Sequence, residues 1–236
     1  MKVFDFIDED ELLFITIETE SQIDEVINDQ LLYSCWSYKN MSISPENNIE
    51  KFKSTSRYYP TFGRITTITV GKLIKDEKNN YKGLIKTYSD SDELKLLKNF
   101  NNFLNKLNDN NRKISFIGYQ NGIFDLPFIF KRMVINNIKP NTFLDKSNLK
   151  PWEIKDVDLF DVWRGNSINV DNIFSIAHQL KLEIPLDIII KASTDKQYPR
   201  TSLDMFVISQ FKIKLIFNLY LRLKHNINLD LIEYLN

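Results

Sequence analysis

Apolar residues follow two rhythms along this chain. Residues 12–17, LLFITI, form a short β-branched run of the kind that makes a buried strand. Residues 64–74, RITTITVGKLI, alternate and predict a second strand. The KNN at 78–80 is a turn signal, and residues 81–87 complete a hairpin. From Ser89 to Leu107 the apolar positions are 94, 97, 100, 103, 104 and 107, a helical spacing, with Asp90 or Ser91 as the cap. Residues 114–118 predict another short strand, followed by a turn and a helix with Pro127 in its first turn. Residues 156–161 read as an edge or final strand. Residues 170–182 and 202–224 read as helices, the second a long one. Residues 20–57 are polar and interrupt the pattern. Ile23 to Tyr33 has helical spacing there, and Asn40 to Ser56 reads as a loop or surface insertion. The order predicts a single α/β domain over 1–236, with a mixed central sheet flanked by helices and an insertion at 20–57. No internal repeat is present.

Composition narrows the function classes. Hydrophobic residues make up 43 % of the chain, enough for a sizeable core. Lys plus Arg equals Asp plus Glu at 31 each, so any nucleic-acid contact must come from a local basic patch. The bias toward Lys, Asn and Ile is that of an AT-rich genome such as a phage, virus or parasite. One cysteine, Cys35, excludes an intrachain disulfide and fits a reducing, intracellular and cytoplasmic setting; beside Trp36 it reads as a packing residue. One Cys and two His, His178 and His225, argue against structural zinc. The acidic first residues carry no secretory signal pattern, and no apolar run is long enough for a membrane span.

Three strings, in order, resemble the DEDD-type 3′–5′ exonucleases, in particular those related to the proofreading domain of B-family DNA polymerases. The first strand ends Thr16-Ile17-Glu18-Thr19, similar to the family's Asp-x-Glu-Thr, with Thr16 where the family has Asp. Asn121-Gly122-Ile123-Phe124-Asp125-Leu126-Pro127 is similar to Asn-x-x-x-Phe-Asp-Leu-Pro, and Asp158-Leu159-Phe160-Asp161 resembles a short strand downstream of it. The late helix carries Ile208 and Lys212 where the family has the Tyr and Asp of Tyr-x-x-x-Asp. The resemblance implies an RNase H-like (3′–5′ exonuclease) fold with a degenerate active site. Glu18 and Asp125 are its remnant catalytic residues, Thr16, Ile208 and Lys212 its substituted positions. Asn121 and Phe124 are candidate nucleic-acid contacts.

Two-metal phosphodiester hydrolysis needs hard oxygen ligands around Mg²⁺ or Mn²⁺. Here Glu18 and Asp125 supply two charges, Thr16 is neutral and Lys212 is positive, so the site sums to about −1. Lys212 is therefore expected to stand in for a cation, paired to Glu18 and Asp125. Asp158 and Asp161 are the acids able to rescue metal binding, though a turn or strand-edge role suits them as well; Asp204 lies about two helical turns before Lys212. Plainer roles stand beside these: Glu18 as an edge residue, Asp125 as a helix cap, His178 as a core or surface histidine. Tyr58, Tyr59, Phe62, Trp152 and Trp163 are candidates for stacking on bases. Lys131, Arg132, Arg164, Lys191, Lys196 and Arg200 are candidates for a phosphate-tracking patch. Three functions follow as expectations. One is an inactive or impaired exonuclease-like protein kept for binding single-stranded DNA, a replication partner or a virion protein. Another is an active exonuclease using Mg²⁺ or Mn²⁺ with a substitute carboxylate. The third is a protein-interaction or structural module.

Overall fold

The computed structural model describes residues 4, 7–22, 28–39, 51–52, 54–168, 171–193, 201–229 and 231–235. Its frame is a six-stranded sheet. The strands are β1 (Leu12–Ser21), β2 (Gly63–Lys75), β3 (Tyr81–Ser89), β4 (Ser115–Gly118), β5 (Val157–Asp158) and β6 (Leu231–Leu235), in the spatial order β5-β4-β1-β2-β3-β6. Strand β2 runs antiparallel to both of its neighbours; the other pairings are parallel. The helices are α1 (Gln30–Lys39), α2 (Glu93–Asp109), α3 (Leu126–Ile135), α4 (Leu159–Arg164), α5 (Ile173–Gln179), α6 (Leu186–Ser193) and α7 (Ser202–His225). This is an α/β fold with a mixed sheet and helices on both faces.

Strand β1 explains the layering. Leu12 through Thr19 are all buried, as in a strand covered on both faces. Phe14 turns toward α7, where it meets Ile213, Phe217 and Tyr220. Ile15 and Ile17 turn the other way and join Leu97 and Phe100 of α2 and Ile129 and Met133 of α3. Gly71 of β2 lets α7 lie close on the sheet: a Cβ there would sit 2.5 Å from the Phe217 ring. The hairpin between β2 and β3 closes because the Asp76 carboxylate accepts from the Lys78 and Asn80 N–H groups at 2.9 and 2.8 Å, with Asn79 left-handed at φ 65°.

Several expectations need correction. The cap of α2 is Asp92, which accepts from Leu94 and Lys95, not Asp90 or Ser91. The strand expected at 156–161 lasts two residues, because the Asp158 side chain caps α4 immediately afterwards. It stands at the sheet edge, one of the two places expected for it, and is not the last strand, since β6 follows α7. In the insertion, α1 occupies 30–39, and residues 51, 52, 54 and 55 are helical where a loop was expected; 23–27 and 40–50 lie outside the described residues. Trp36, Phe52 and Phe62 form a small core there. Cys35 is exposed rather than packed.

Candidate functional site

The site lies where the carboxyl ends of the parallel pair β1 and β4 meet α7. Alternation along β1 sends Thr16 and Glu18 to the α7 side with Phe14. Thr16 stands opposite Thr69, and Thr69 opposite Thr87, so three strands carry a row of threonines. Thr69 Oγ1 bonds Thr87 Oγ1 at 3.2 Å and makes a short hydrogen bond with Ser209 of α7. Next to that row the register slips: Glu18 pairs with Thr67 and Thr19 with Ile65, leaving Thr66 as an extra residue on β2. The Thr66 hydroxyl donates to the Glu18 carbonyl at 3.2 Å. Such bulges bend a strand and re-aim its side chains.

The second residue comes from the end of β4. Gln120 is left-handed at φ 64°, and Asn121–Asp125 then form one π-helical turn that runs into α3. The wide turn is held from β5. The Asp158 carboxylate accepts from the N–H groups of Gln120, Gly122 and Phe160 at 2.7, 3.0 and 3.0 Å. Asp125 occupies the cap position of α3, but its side chain makes no capping bond, so the plain cap role fails. Its carboxyl turns inward and is 4 % exposed. Burial pushes this carboxyl well above the usual carboxylate range; Lys212 pulls it back, while Glu18 and Asp158 push it further up. Its Oδ2 has no hydrogen-bond partner among the described residues, nor have the two amide atoms of Asn121.

Lys212 comes from α7, one turn after Ile208. Its Nζ lies 2.5 Å from Glu18 Oε1, with Glu18 only 3 % exposed. Asp125 feels Lys212 as a nearby charge and not as an ion-pair partner, so the expected three-way pairing reduces to a lysine–glutamate pair beside an inward aspartate. Ile208 is fully buried. Thr16, Asp125 and Lys212 line one cleft of about 660 Å³ with Tyr58, Ile123 and Phe124 at its wall. Phe124 packs against Tyr58 with ring centroids 6.2 Å apart.

Other candidates fall elsewhere. Asp158 is committed to backbone donors, and burial raises its carboxyl above the usual value even so. Asp161 is exposed and pairs with Arg164 at 3.0 Å. Asp204 caps α7 through Thr201 and pairs with Lys191 at 2.8 Å. Asn121 is fully buried over Gly118, where a Cβ would lie 2.7 Å from its own Cβ, so it is no accessible nucleic-acid contact. Arg132 is buried against Glu93, which removes it from any phosphate patch. Arg164 and Lys191 are likewise engaged with acids, Lys131 is exposed, and Lys196 and Arg200 lie outside the described residues. Of the proposed stacking aromatics, Tyr58 alone lines the cleft. Phe62 is core, Tyr59 packs on Phe62, Trp152 is exposed beside Lys150, and the Trp163 indole donates to Asp171. His178 is exposed on α5 and outside the cleft. Among the described residues no three His, Cys, Asp or Glu side chains gather as a metal set, and no helix is long and apolar enough to cross a membrane. No family model and no curated protein matches the sequence.

Proposed function

We propose that this chain is an RNase H-like domain of the DEDD exonuclease type in which a lysine replaces metal charge, and that it holds a single-stranded nucleic-acid end without cutting it. The observation that carries this reading is Lys212 Nζ at 2.5 Å from the buried Glu18 carboxylate. A pair of divalent ions needs that oxygen, and an ammonium already neutralises it. The residues present do not fit the two-ion arrangement in other respects. Thr16 offers a neutral hydroxyl beside other hydroxyls, and burial favours the neutral form of Asp125. The substitute carboxylate required by an active enzyme is missing too, since Asp158 is held by three backbone donors and Asp161 by Arg164.

Binding is supported by the cleft itself. Its volume of about 660 Å³ accommodates a nucleotide-sized group. Tyr58 is half exposed at its wall against Phe124, a platform on which a base can stack. The mixed sheet flanked by helices agrees with the fold that the resemblance implies.

The test uses the full chain and 3′-labelled single-stranded DNA. With Mg²⁺ or Mn²⁺ the label stays on, and Glu18→Ala does not change that outcome. Calorimetry with Mn²⁺ alone shows no pair of tight sites. Binding of the same DNA weakens with salt and with Tyr58→Ala. Release of the label that Glu18→Ala abolishes, or two tightly bound Mn²⁺ ions, overturns the proposal. Retention of the label with no DNA binding overturns its second half.

A further inference from the structure

The sheet ends on strand β6 at the edge away from β5. Strand β6 pairs with β3 on one side, and among the described residues nothing pairs with its outer side. Its sequence is Leu231-Ile232-Glu233-Tyr234-Leu235. Edge strands are normally blunted by Pro, by bulges, by being very short or by charged side chains. This one has no Pro and no bulge, and its single charge, Glu233, is matched by Lys82 of β3. Leu231, Tyr234 and Leu235 are 56, 55 and 42 % exposed. An edge so unprotected is a template for strand addition.

The pattern of the strand identifies the occupant. Read in either direction it is apolar, apolar, acidic, apolar, apolar. Two such strands laid antiparallel about Glu233 place Leu231 opposite Leu235 of the second copy and Ile232 opposite Tyr234 of the second copy. Directly opposed residues share a face and touch, so every apolar side chain of the strand gains an apolar neighbour. The two Glu233 carboxylates face each other, a like-charge opposition that costs stability and is offset only by each one's pair with its own Lys82. Sliding either strand by one residue turns every side chain to the wrong face, and sliding by two sets Glu233 opposite Leu231 or Leu235. We propose that two copies of this chain associate through β6 about a two-fold axis at Glu233, joining their sheets into one. Strand β6 lies three places from β1 in the sheet, so the cleft of each copy stays open. The contact is small, and the association is correspondingly weak and concentration-dependent.

Sedimentation and light scattering of the full chain, from low micromolar to submillimolar concentration, read the association directly. A monomer–dimer equilibrium is expected, and Leu235→Lys weakens it by about tenfold or more as an introduced edge charge does. Circular dichroism confirms that the variant folds. Cross-linking tests the register in a Cys35→Ser background. Glu233→Cys places two thiols opposite each other and forms a disulfide dimer on oxidation. Leu231→Cys alone does not, because two copies of that position lie about 14 Å apart in this register, beyond the reach of a disulfide. Leu231→Cys mixed with Leu235→Cys cross-links again. A chain that stays monomeric throughout overturns the inference. A dimer that Glu233→Cys fails to trap, or that Leu231→Cys traps equally well, overturns it too.

Discussion

Replacing Lys212 with Met keeps the side-chain stem and removes the charge that faces Glu18. Glu18 is 3 % exposed and Lys212 about one-quarter exposed. Removing one partner of a fully buried pair costs about 3–5 kcal/mol. Water reaches the lysine end of this pair, which lowers the expected loss to about 2–3 kcal/mol. For a chain of this length that corresponds to a fall in Tm of about 5–10 °C. The loss comes from a carboxylate deprived of its ammonium, so neutralising both groups should undo it. Lys212→Met with Glu18→Gln is therefore expected to recover most of the stability, with a coupling of about 1.5–3 kcal/mol between the two sites. Urea unfolding at pH 7, followed by circular dichroism, measures all four corners of the cycle. An unchanged m value shows that the same two states are compared. If each single variant loses under about 0.5 kcal/mol and the losses add, the lysine does not neutralise this pocket and the reasoning fails.

The buried Glu93–Arg132 pair gives a second prediction. Glu93 also accepts from Ile65 N–H at 2.6 Å and Asn136 at 3.1 Å, and Arg132 donates to the Pro60 carbonyl at 2.8 Å, so Arg132→Met should cost about 3–5 kcal/mol by urea unfolding. Glu9 gives a pH prediction. Burial raises its carboxyl, but hydrogen bonds from Lys224, His225, Tyr81 and Tyr220 outweigh that and bring it from 4.5 to about 2. A depressed carboxyl stabilises the fold above its unfolded value, and that stability is lost as pH falls from about 4.5 to 2; after solvent screening it is worth about 1–2 kcal/mol, and Glu9→Gln should remove this part of the acid profile. Asp125 runs the opposite way. Its raised carboxyl opposes folding as pH rises past 3.8, so Asp125→Asn should raise stability at pH 7 and lose that advantage in acid, as thermal melts across pH would show.

The frame was legible because the sequence states it by periodicity. Residues 12–17 read as a strand from their shortness and β-branched content, 64–74 from their alternation, and 89–107 as a helix from their spacing. Helix α6 escaped because Leu186-Asp187-Ile188-Ile189-Ile190 suits a strand or a helix equally well, and only packing against α7 decides between them. Strand β6 escaped because five residues after a long helix carry too little pattern to announce a sheet partner. At the site, the resemblance singled out Glu18, Asp125 and Lys212, and the structure pairs Lys212 with Glu18 and sets Asp125 near that charge. The role of Asp158 was not legible, since an acid reads the same whether it faces a cation or three backbone N–H groups. The bulge at Thr66 and the π-helical turn at 121–125 are backbone decisions made by neighbours distant in sequence.

These backbone features constrain what the pocket can hold. Thr16 stands opposite Thr69, whose hydroxyl bonds Thr87 of β3 and Ser209 of α7. An acid at position 16 would set a carboxylate among hydroxyls, in a position only 5 % exposed, with no lysine of its own. That cost is tolerable only if a cation accompanies the acid. An acid at position 212 would likewise remove the ammonium from Glu18 and add a like charge in its place. Either change alone leaves the pocket with excess negative charge and too few ligands for two ions. Thr16 and Lys212 therefore suit each other electrostatically. With Thr16 neutral, one lysine suffices to balance Glu18, and with Lys212 present the pocket has no use for an acid at position 16. On the proposed reading, Lys212 supplies to Glu18 the positive charge that an ion would otherwise bring.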